Sequence, residues 1–269
     1  MKTHLTQILL LGTICFWMTA TFAIGAETAG RGTMGSAGDA IEAQQDAEEA
    51  IGKAAGLIDE MASAAGNDQK IPADVLQNAQ AVAIVPDVLK AAVVAGGRYG
   101  QGVLLTRNQD NWSHPVLVTL GGASIGAQIG VESSDLIMVF NKQQAVQNLI
   151  KDSDFTLGVD ASVAAGSMGA KAKGMATEAD VVTYQRIKGL FAGVSLTGGV
   201  LDVDEEATQA YYQMDQDKAR GYRGDEGRKD EAQVTQRILD ADLEDESIKA
   251  PASAKSLQEA LKQYASGKK

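Results

Sequence analysis

Ala81-Val82-Ala83-Ile84-Val85-Pro86 decides the reading of the fold. Five small or branched apolar residues run together and end on a proline, too short for a helix and bounded like a strand. The same texture recurs outward from it, at 91–95, 102–106, 116–120, 136–140 and 190–203, with glycine clusters between the runs. Residues 108–113 read as a hairpin loop and 96–100 as a second turn. The expectation is an α+β fold, a mainly antiparallel β core, barrel- or sandwich-like, with an N-terminal amphipathic helix and short flanking helices.

The helices are read from spacing. Between 39 and 65, Ile41, Ile51, Ala55, Ile58, Met61, Ala62 and Ala65 recur near helical period in an Ala-, Glu- and Gln-rich stretch without proline. This stripe either packs on the domain or lies on a membrane. Packing is favoured, because the polar face is acidic where interfacial helices prefer Lys and Arg. Asn141 is placed to cap a helix to Ile150, with Val146, Leu149 and Ile150 inward. Two further short helices are read at 234–239 and 256–264, the second with a stripe of Leu257, Ala260, Leu261 and Tyr264. Residues 216–231 mix Lys and Arg with Asp and Glu and read as an exposed charged loop.

The N-terminus opens on Met1-Lys2-Thr3-His4 and continues uncharged from Leu5 to Ala26. A short positive start, an apolar centre and a small-residue exit read as a secretory signal peptide, with a mature N-terminus expected at Ile24 or Glu27. The other reading is a retained anchor, since an uncharged run of about 22 residues just spans a bilayer. Cys15, the only cysteine, lies inside the apolar stretch and lacks the small residues that lipidation needs before it. Cleavage would remove it, leaving neither disulfide nor thiol chemistry.

The net charge is -11, and loss of Lys2 makes it -11 - 1 = -12. Such a polyanion is a poor general binder of nucleic acid or of acidic membranes, so an anionic ligand must meet a local basic patch. Catalytic patterns fail on context. Gly122-Ala123-Ser124-Ile125-Gly126 matches a nucleophile elbow, but His114, the one histidine outside the leader, precedes the serine. The glycines from Gly96 to Gly102 are followed by a strand, not by the helix N-terminus a phosphate loop requires. Asp202, Asp204, Glu205 and Glu206 fit a helix start better than a calcium loop. Without a second histidine beyond the leader or a mature cysteine, no metal site is expected. No cofactor is implied.

The cations inside the β region carry the sharper reading. Lys171 and Lys173 lie in a glycine-rich stretch. Tyr184, Arg186 and Lys188 alternate on one strand and so share a face. Two cations and a tyrosine on one face suit a phosphate. The other account is that they pair with nearby carboxylates, and on the residues alone that account is favoured.

The motifs of residues 71–212 then come in a recognisable order: 81–86, Gly96-Gly97 with 99–104, Trp112-Ser113-His114-Pro115, the glycine-rich 121–130, Ser134-Asp135-Leu136, 157–162, 164–166, 189–196 and Tyr211-Tyr212. This set resembles the SYLF domain family, also described as the actin-binding family of yeast endocytic proteins. The resemblance implies a lipid-binding module, not an enzyme, and a bacterial exported member of the family. It implies phospholipid head groups, phosphoinositide-like ones among them, or a membrane surface as partner, with an envelope protein as the alternative. Actin is not carried over, because an exported bacterial protein does not meet it. Arg186 and Lys188 fall just before the family's Gly-Leu-Phe-Ala-Gly. The expected organisation is a signal peptide over 1–26, a flexible lead over 27–38, a helical segment over 39–70, the SYLF-type domain over 71–215, a charged loop over 216–232 and a helical segment over 233–269.

Overall fold

The apolar runs at 81–85, 102–106, 116–120 and 136–140 fall within strands longer than themselves, whereas 91–95 straddles the end of one strand at Ala92 and the start of the next at Ala95, and 190–203 divides into two strands. The computed structural model describes residues 37–64, 70–92, 95–109, 111–125, 130–151, 155–166, 178–187, 190–193, 196–213, 225–241, 248 and 250–267. The strands are β1 (Ala81–Ala92), β2 (Ala95–Asn108), β3 (Asn111–Trp112), β4 (Val116–Ile125), β5 (Gly130–Phe140), β6 (Phe155–Thr156), β7 (Val163–Ala165), β8 (Val181–Ile187), β9 (Leu190–Gly193) and β10 (Val200–Val203). They form one sheet in the order β6-β10-β4-β2-β1-β5-β8-β7, with β3 on β2 and β9 on β8. All pairings among these strands are antiparallel except β7 with β8. The α+β reading holds, and the sheet is curled into a half-barrel.

Residues 81–85, 103–105, 136–140 and 181–184 are buried without a break. Successive strand residues point to opposite faces, so unbroken burial means that both faces of the central strands are covered. The cover is helical: α1 (Ala37–Ser63), α2 (Ala73–Gln77), α3 (Gln143–Lys151), α4 (Glu205–Tyr211), α5 (Asp225–Asp240) and α6 (Ala252–Ala265). The stripe of α1 packs on the domain as favoured, with Ile51, Ala54, Ile58 and Met61 buried. Ile41 departs from it and is exposed. Burial of this stripe removes the apolar face a membrane-lying helix would need. On α3 and α6 the expected inner residues are buried.

Three sequence readings are corrected. Residues 96–100 are not a turn; they belong to β2 and pair with β1 and β4. Gly100 answers a bulge in β1, where a Cβ would press on Val85 and Val88. From Ile84 to Leu89 that strand takes five steps while β2 takes four from Val103 to Tyr99. Pro86 and Asp87 sit in this bulge, where a missing N–H and the positive φ of Asp87 (51°) are tolerated. Asn141 does not start α3; its side-chain amide donates to the Ala179 carbonyl at 3.0 Å. The charged loop is shorter than read, because α5 already begins at Asp225.

The C-terminal helix is part of the same body. The Tyr264 hydroxyl donates to the Ile71 carbonyl at 2.5 Å, and Gln77 Nε2 donates to the Ala265 carbonyl at 2.6 Å. Gln258 Nε2 reaches the Ser113 carbonyl at 2.8 Å. These bonds fasten α6 to α2 and to the approach of β4.

Candidate functional site

Strand period places Tyr184 and Arg186 of β8 on one face, the face that looks toward α1. Their environments differ. Tyr184 is fully buried, and a Cβ on Gly166 would overlap its ring. Its hydroxyl has no hydrogen-bond partner among the described residues. Burial, with Asp74 adding to it, pushes the phenol up to about 12. A side chain so enclosed supports the sheet and does not reach a ligand at the surface.

Arg186 lies at the rim. Asp135 is its cross-strand partner on β5, and Nε approaches Asp135 Oδ2 at 3.5 Å. Nη2 meets Glu60 Oε2 of α1 at 2.5 Å. The two carboxylates are unlike: the Asp135 side chain is 20% exposed and that of Glu60 is 64% exposed. Asp135 is further fixed, since Oδ1 accepts the Asp87 N–H at 3.1 Å. Asp135 therefore orients the guanidinium while Glu60 covers it from the solvent side. Of the expected site residues, Tyr184 and Arg186 are brought together on one face. Lys171, Lys173 and Lys188 lie outside the described residues.

Sequence reasoning anticipated carboxylate pairing in general and missed these two carboxylates in particular. Glu60 is 126 positions away, on a helix whose docking no local pattern reveals. It missed also that Leu89, Tyr99 and Val131 stay uncovered on the sheet beyond α1.

The remaining motifs resolve as structure. Ser124 belongs to β4 and pairs with Gly96, so the strand-turn-helix of a nucleophile elbow is not what holds it. His114 is buried, edge-on to Tyr212 at 6.2 Å between ring centres. Asp204 caps α4 by accepting the Ala207 N–H at 2.9 Å, with Glu205 and Glu206 in the first turn. Among the described residues no three His, Cys, Asp or Glu side chains gather to hold a metal, and no helix is long and apolar enough to cross a membrane.

Residues 121–264, over half of the chain, match the model of the Ysc84 family, described as Las17-binding protein actin regulator. The chain belongs to the Ysc84 family. This is the SYLF resemblance of the sequence motifs. The Ysc84-family match extends past the motif set to Tyr264, and so takes in α5 and α6. The chain is 39% identical over 153 residues to LAS seventeen-binding protein 3 of Saccharomyces cerevisiae, covering 55% of this chain and 33% of that protein. It is 36% identical over 189 residues to SH3 domain-containing YSC84-like protein 1 of Homo sapiens, covering 68% and 54%. This Ysc84-family chain thus spans about a third to a half of the curated relatives it matches. The yeast relative is named for binding LAS seventeen, and the human one for an SH3 domain and its likeness to YSC84.

Proposed function

We propose that this Ysc84-family chain is an exported, non-enzymatic module that binds phospholipid head groups at a membrane surface, with Arg186 as the phosphate contact. The observation that carries the reading is the unequal pairing of Arg186. An exposed ion pair such as that with Glu60 contributes on the order of 0–1 kcal/mol. A charge-assisted bond from guanidinium to phosphate is worth about 1.5–3 kcal/mol. A head-group phosphate can therefore replace Glu60 on Nη2 while Asp135 keeps the guanidinium oriented. Lys188 follows two residues later, and Lys171 and Lys173 are the further cations expected to serve the same anion. The N-terminal positive-apolar-small pattern supports export.

The alternative is a protein partner without a lipid ligand, favoured by the relative named for binding Las17. Liposome co-sedimentation over a head-group series separates the two. Retention by vesicles that carry a phosphomonoester head group, absent with phosphatidylcholine alone and weakened by salt, is the expected result. No retention on any head group would leave the protein-partner reading.

A further inference from the structure

The other end of α1 forms a second surface, chemically opposite to the first. One cavity of about 200 Å³ lies between α1, β2, β4 and the start of α4, and a second of about 300 Å³ lies between α1, β1 and β2. They share Asp46, Ala50 and Gln101, so the two form one groove along the N-terminal half of the helix.

Leu89 and Tyr99 line the groove's sheet end and are direct cross-strand partners. They are 50% and 57% exposed. Val131 is two residues from Ser133, the β5 partner of Leu89, and therefore lies diagonal to Leu89 on the same face. It is 74% exposed. Three large apolar side chains thus make an uncovered row where the helix stops shielding the sheet, which marks an interaction surface.

The walls are acidic. Asp46, Glu49 and Asp87 line one cavity, and Asp204 and Glu206 the other. Among the described residues Lys53 is the only cation lining either cavity, and it already bridges Glu49 at 2.9 Å and Asp87 at 3.0 Å. The Glu49 and Asp87 carboxylates hold its ammonium above the usual lysine range. Among the described lining residues, one ammonium against five carboxylates gives a charge of 1 - 5 = -4. An anionic bilayer or a second copy of this acidic chain meets repulsion here.

We propose that this groove docks a cationic segment of a partner protein, whose Lys or Arg side chains face the carboxylates while an apolar side chain rests on Leu89 and Tyr99. The occupant follows from charge complementarity together with the apolar row. This groove shares no lining side chain with the phosphate contact at Arg186, although the Asp87 N–H is bonded to Asp135 beside it.

The test uses the full chain and a labelled peptide of alternating lysine and leucine, followed by fluorescence anisotropy at physiological salt. A glutamate-leucine peptide is the comparison. Asp46→Lys with Glu49→Lys should weaken the lysine peptide at least tenfold, and Leu89→Ser with Tyr99→Ser at least threefold. Asp59→Lys with Glu259→Lys, which changes net charge equally elsewhere, should alter it less than twofold. Asp46→Asn, milder for folding, should still weaken it, and thermal melts confirm that each variant is folded. Equal losses from the groove and control pairs would reduce the binding to diffuse attraction and overturn the proposal. So would groove variants that change self-association in sedimentation, or binding to anionic vesicles, while leaving the peptide affinity unchanged.

Discussion

Gly102 lies against Val85 at the point where β1 bulges: a Cβ on Gly102 would come within 2.7 Å of the Val85 Cα and would overlap the Ile84 carbonyl oxygen. The obstacles are backbone, which cannot rotate aside. Gly102→Ala should therefore cost about 1–3 kcal/mol or more in chemical denaturation. Gly56, exposed in the middle of α1 with nothing within 4 Å of its would-be Cβ, gives the opposite sign. Gly56→Ala should stabilise by about 0.5–1 kcal/mol. Equal effects at the two positions would contradict the packing at the bulge.

Tyr264 ties the C-terminal helix to the segment that enters α2. Its hydroxyl is the partner of the buried Ile71 carbonyl. Tyr264→Phe leaves that carbonyl without its donor and should cost about 1–3 kcal/mol. The measurement is a urea midpoint at unchanged slope. An unchanged midpoint would mean that α6 is not fastened there.

Alkaline pH should act on the buried tyrosines. Burial pushes Tyr184 and Tyr211 up to about 12, with Asp74 adding to the first and a Ser253 hydrogen bond opposing the second. A phenol whose folded value is raised contributes stability that is fully present below the unfolded value near 10. That stability is lost as pH rises from 10 to about 12, by up to about 1.4 kcal/mol per pH unit for each such group. Phenolate absorbance from Tyr184 and Tyr211 should appear only as pH approaches about 12. A single step near 10 in the folded protein would contradict the burial.

Much of this architecture is visible in the residues, and the gaps have physical causes. The runs at 81–85, 116–120 and 136–140 announce strands because short β-branched stretches between turn residues have few other uses. The inner faces of α1, α3 and α6 follow from helical period. Residues 96–100 mislead because glycine serves a turn and a close backbone approach equally well, and only the bulge across the ladder tells which. The start of α5 hides in a charged segment whose apolar stripe becomes regular only near Val234. The candidate site was half legible. Alternation places Tyr184 and Arg186 together, but burial of the first and the Glu60 contact of the second depend on how a helix 126 positions away docks.

Vesicle flotation beside a thermal melt tests the central claim most directly, with two variants: Arg186→Gln combined with Lys188→Gln, and Glu60→Gln. Loss of a true phosphate contact should lower binding to vesicles bearing the retained head group about tenfold or more, with the melt little changed. Glu60→Gln removes the competing carboxylate and should raise binding up to about fivefold. Undiminished flotation of the double variant with an unchanged melt, and no gain from Glu60→Gln, would contradict Arg186 as the phosphate contact.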